Sequence, residues 1–123
     1  LALEKRLSDN ADIQLSARSD KEHYVASSLQ FRVEKLKQEQ INSFVKACAK
    51  RGVELKWFGS AEPQGFTSRY DSWRYVESKQ HLPNTLKLLE TTFDLRIPLT
   101  FDVDDMVIIG DIIDDVVQSI LTQ

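Results

Sequence analysis

Cysteine is nearly absent from this 123-residue chain: Cys48 stands alone, so no internal disulfide can form. A lone thiol on the apolar side of a helix suits a reducing, cytoplasmic setting. Methionine also occurs once, at Met106, and the chain opens on Leu1 without an initiator. The first residues, Leu1 to Leu7, read as the end of a helix with Leu3 and Leu7 on one side and no capping residue before them. Together these features predict a piece of a larger protein, with residues 1–12 as the tail of a preceding helix and residues 1–123 as one domain. No apolar run approaches a membrane span, and no basic-then-apolar leader opens the sequence. Basic excess is missing too: a net charge of -3 argues against a nucleic-acid partner, which would need a cationic surface. Histidine is limited to His23 and His81, too far apart and too poor in neighbouring cysteine to suggest zinc.

What is present describes one ordinary core. Hydrophobic residues make up 41% and charged residues 28%, the balance of a globular domain. Ile13 to Leu15 alternates briefly. Tyr24 to Val33 is a stronger strand pattern, with Val25, Ser27, Leu29, Phe31 and Val33 on one face. From Gln38 to Arg51, Ile41, Phe44, Val45 and Cys48 recur at helical spacing, and Gly52 follows where a left-handed residue closes a helix. Val53 to Trp57 alternates again. The stretch from Gly59 to Leu82 is long, aromatic and without regular pattern. Pro83 suits a first helical turn, with Leu82, Leu86, Leu89 and Phe93 as its stripe. Leu95 to Leu99 reads as a short strand ending near Pro98. Asp102 fits an N-cap, and Val103, Met106, Val107, Ile109, Ile113, Val116, Val117 and Ile120 form the last apolar stripe. The order predicts an α+β, two-layer domain: a small, mainly antiparallel sheet with helices on one face.

Few residues carry recognisable chemistry. The aspartates from Asp102 to Asp115 do not follow a calcium loop, because Met106 and Ile108 stand where oxygen ligands are needed; a cap and a solvated face explain them. No nucleophile elbow is present. The loop residues Arg69, Tyr70, Trp73 and Arg74 interleave guanidinium groups with aromatics, which suits a carboxylate or phosphate, although Arg69 could equally pair with Asp71 or Glu62. Arg96 lies between apolar strand positions and points either to solvent or into a cleft.

Three passages resemble the small domains of fold-type I pyridoxal-phosphate enzymes, especially DegT-type sugar aminotransferases and class I/II relatives. They are Arg51 to Gly59 after an amphipathic helix, Leu82 to Thr85 followed by Thr92 to Leu99, and Asp102 to Asp105 leading into a terminal helix. The resemblance implies a C-terminal lid domain that contributes to substrate binding and dimer contacts. The cofactor lysine and most phosphate ligands would then belong to a missing large domain, so that no catalytic residue, cofactor ligand or metal ligand is expected here. Arg96 inherits the candidacy for a substrate carboxylate; Trp57, Arg69 and Arg74 are further substrate-facing candidates. None of Lys46, Lys50, Lys56, Lys79 or Lys87 has the setting of a cofactor lysine. Two other readings remain open: a small-ligand or regulatory module, and an interaction domain using the aromatic loop.

Overall fold

The computed structural model describes residues 1–62, 75, 77 and 80–123. Its elements are α1 (Ala2–Ser8), β1 (Gln14–Leu15), β2 (Ser28–Arg32), α2 (Gln38–Lys50), β3 (Lys56–Trp57), α3 (Pro83–Leu89), β4 (Thr92–Arg96) and α4 (Val103–Leu121). The strands form one antiparallel sheet in the order β1-β2-β4-β3. Helices pack against it, which makes the domain α+β.

The pleat decides what each strand buries. Leu29 and Phe31 of β2 and Phe93 and Leu95 of β4 turn inward, and their registers match, Leu29 to Leu95 and Phe31 to Phe93. The Phe93 ring meets Phe31 at 5.7 Å between centroids and Phe44 of α2 edge-on at 4.9 Å. Those three rings tie the sheet to α2. Ile113, Val116, Val117 and Ile120 bring α4 onto the same core, as do Leu3 and Leu7 of α1. The opposite face carries Ser28, Gln30, Arg32, Thr92, Asp94 and Arg96, which is why β2 alternates apolar with polar.

The first helix packs into the core. Leu3 and Leu7 are fully buried, and Arg6 Nε and Nη2 bridge to Asp111 at 2.5 Å and Asp114 at 2.7 Å on α4. Hydrogen bonds to Asp114, and then to Asp111, hold the guanidinium further toward its charged form. Asn10 Nδ2 also donates to Asp114, extending the seam beyond the helix.

Several boundaries differ from the sequence reading for definite reasons. β2 begins at Ser28 rather than Tyr24, because Ala26 takes a left-handed φ of 63° that breaks the extended chain and leaves Val25 exposed. Val53 and Leu55 are buried as their alternation suggests, yet only Lys56 and Trp57 pair with β4. Phe93 belongs to β4 and not to α3, which ends at Leu89 and buries no side chain. β4 therefore starts at Thr92 and stops at Arg96, before Pro98, and Leu99 stands fully exposed. On α4, Val103 and Val107 lie at the surface instead of in the core stripe.

Two local expectations, at the end of α2 and the start of α4, hold. α2 stops with Gly52 at φ 86°, a conformation without penalty only for glycine. Asp102 Oδ1 accepts from Asp105 N at 2.9 Å, and Asp105 Oδ2 accepts from Asp102 N at 3.0 Å, a reciprocal cap. Among the described residues no helix is long and apolar enough to cross a membrane.

Candidate functional site

Where β3 and β4 part, the sheet opens a cleft of about 660 Å³. Two registers define its root: Trp57 lies opposite Phe93 and Lys56 opposite Asp94. Continued by two residues, that register would set Glu54 against Arg96, but the ladder has already ended. Val45 and Ala49 of α2 and Ile109 of α4 supply apolar walls, and Pro98 and Phe101 lie on the far side. The side chains of Lys56 and Arg96 follow the pleat of Asp94 and so belong to the polar face.

Arg96 is exposed. Its position differs electrostatically from those of the other described arginines. Arg6, Arg18, Arg32 and Arg51 each have a carboxylate oxygen within 3.2 Å, whereas Arg96 has no ion-pair partner among the described residues. Glu54 lines the same cleft but forms no ion pair with Arg96, whose guanidinium keeps its fork of donors for an incoming carboxylate or phosphate. On the adjoining polar face Gln30 Nε2 donates to Asp94 Oδ1 at 2.5 Å and Asp94 is buried, whereas the buried Arg32 Nε has no hydrogen-bond partner among the described residues.

Trp57 is not gathered with Arg96. It pairs with Phe93, whose side chain turns to the core, and is half-buried against that core. Its indole N–H is committed to the Glu90 carbonyl at 2.8 Å. Three residues of strand, about 10 Å, separate its level on β4 from that of Arg96. Arg69 and Arg74, like Tyr70 and Trp73, lie outside the described residues.

Glu54 is a charged cleft residue that sequence reasoning did not single out, and Lys56 was named there only as lacking the setting of a cofactor lysine. The signal was present in Val53-Glu54-Leu55-Lys56-Trp57: the same alternation that buries Val53 and Leu55 turns the intervening charges to the other face.

A lysine activated as a dedicated cofactor anchor is set in a desolvated pocket or beside another cation. Lys46, Lys50 and Lys87 are exposed on helix surfaces, and Lys56 is half-buried at the edge of an open cleft. These described lysines do not provide such an enclosure. Cys48 is fully buried, and burial pushes its thiol up to about 12, so it is a packing residue and not a nucleophile. Among the described residues, no three His, Cys, Asp or Glu side chains gather as a metal site would require.

No protein-family model, curated protein or solved structure matches the chain.

Proposed function

We propose that this chain is the small, substrate-side domain of a pyridoxal-phosphate-dependent aminotransferase, with Arg96 as the group that receives a substrate carboxylate. The observation that carries the reading is the Arg96 guanidinium, without an ion-pair partner among the described residues, at a cleft with apolar walls in a domain whose other described arginines are ion-paired. The resemblance of the passages around Arg51, Thr92 and Asp102 to fold-type I small domains supplies the reaction class.

In this reading the chain's own residues orient and select, and they perform no covalent step. The substrate in this reading crosses the open sheet edge, its aliphatic or aromatic body against the helix-side walls and its anionic end met by two parallel N–H donors of Arg96 on the other face. Carbanion stabilisation is the chemistry of the cofactor, whose attachment this reading assigns to a large domain on other polypeptide. A homodimer and a cytoplasmic, reducing setting complete the proposal; the buried free thiol of Cys48 suits the latter.

Borohydride reduction of the chain with one equivalent of pyridoxal phosphate, followed by peptide mapping, tests the division of labour. The expected result is sparse labelling spread over several exposed lysines and no transaminase turnover. Saturable labelling of a single lysine, or turnover, would show a self-sufficient catalyst and overturn the proposal.

A further inference from the structure

Main-chain groups in an antiparallel strand point alternately to its two neighbours. On the β2 side, Val33 N donates to Thr91 O at 3.1 Å and Ile97 N to Ser27 O at 2.9 Å. Odd-numbered residues around β4 thus spend their peptide groups on β2. On the other side, Phe58 N donates to Thr92 O at 3.1 Å, so even-numbered residues face β3. Arg96 is the next even residue after the Lys56–Asp94 pair, and its N–H and C=O face the cleft. No main-chain partner meets them among the described residues.

A backbone donor and acceptor presented side by side at an open strand edge are what an added strand recognises. The surroundings specify its side chains. A segment paired with Arg96 would alternate, one set of side chains turning to Val45, Ala49 and Ile109, the other turning to the face that carries the Arg96 guanidinium. Glu54, exposed on the facing wall, disfavours additional acidic residues, so the segment is left with the single carboxylate that the Arg96 guanidinium meets. We propose that the open edge of β4 at Arg96 binds an extended peptide segment of a partner chain, with apolar residues flanking a single central carboxylate.

This inference goes beyond the aminotransferase reading and does not rest on it, because a small carboxylate would use the guanidinium and not the main chain. The probe is an acetylated, amidated pentapeptide of threonine, valine, glutamate, valine and threonine, titrated into the isotope-labelled chain. Saturable amide shifts are expected at Glu54, Leu95, Arg96 and Ile97. Arg96→Ala, which keeps the peptide group, should weaken binding by about two- to fivefold, the loss of one exposed ion pair. The same peptide N-methylated at its glutamate leaves the protein untouched and removes the main-chain exchange, so its affinity should fall by about fivefold or more. Equal binding of the methylated peptide, shifts confined to other surfaces, or no saturation at millimolar peptide would each overturn the proposal. Free glutamate producing the same shifts at the same concentration would also overturn it, and would favour a small-molecule site instead.

Discussion

Gly110 of α4 lies directly beneath the side chain of Arg6 of α1: a Cβ at position 110 would sit 2.6 Å from Arg6 Cγ and 3.1 Å from its Cβ. Arg6 cannot swing aside freely, because Asp111 and Asp114 grip its guanidinium from the same helix that carries the glycine. The close approach of α1 to α4 therefore needs a residue without a side chain at this position.

Gly110→Ala should accordingly destabilise the domain despite its better helix propensity, by about 1–3 kcal/mol as overpacking strain. Urea unfolding of the single variants and of the Arg6→Ala, Gly110→Ala double variant checks this. The double variant should be less destabilised than the sum of the two, since removing the Arg6 stem frees the space. Additivity would show that the contact is not the cause.

The cap of α4 makes a second, independent claim. Asp102→Ala removes the acceptor for Asp105 N and a negative charge from the first turn, and should cost about 0.5–2 kcal/mol. Asp102→Asn keeps an acceptor and should recover most of the loss. Thermal unfolding of the three proteins at equal ionic strength separates capping from charge.

The parts of this fold written in local chemistry were legible in the sequence. The end of α2 followed from Gly52, the start of α4 from Asp102, and the inward set of β2 from the alternation at Leu29 and Phe31. The parts set by long-range pairing were not. Nothing in Val53 to Trp57 states that its partner strand diverges after Asp94, and that divergence is what creates the cleft. Phe93 fits a helical stripe with Leu86 and Leu89 as well as it fits a strand; only its pairing with Phe31 decides. The candidate site was half visible: Arg96 could be named, but that no carboxylate among the described residues pairs with it depends on where the other elements fold. Trp57 looked equally available, and its indole proves to be engaged by Glu90.

That engagement yields a third prediction. A Cβ on Gly59 would stand 2.6 Å from Trp57 Nε1 and 2.9 Å from Glu90 Cα. Backbone on one side and the Trp57 ring on the other leave little room, so Gly59→Ala must displace the indole and break its bond to the Glu90 carbonyl. A loss of about 1–3 kcal/mol is expected. The Trp57 indole N–H resonance should move toward its solvent-exposed position. An unmoved resonance would mean that the turn adjusts elsewhere.

Alkaline pH supplies the last test, through Cys48. Burial raises its thiol from the ordinary 9.0 to about 12, so the folded chain keeps the proton in a range where the unfolded chain has released it. Above about pH 9 the unfolded state binds fewer protons than the native state, and linkage makes stability fall as pH rises. The contribution is complete below the unfolded value and lost as pH climbs through the window from 9 toward 12. Cys48→Ala lowers stability at neutral pH by leaving a cavity, but it removes this titration. Urea unfolding in steps across that window should show the wild type losing stability more steeply than Cys48→Ala, so that the two curves converge. The native thiol should also resist aromatic disulfide reagents until the chain unfolds. Parallel curves, or rapid labelling of the folded protein, would mean that Cys48 is reached by solvent and that the packing of α2 against Phe93 is looser than the buried thiol requires.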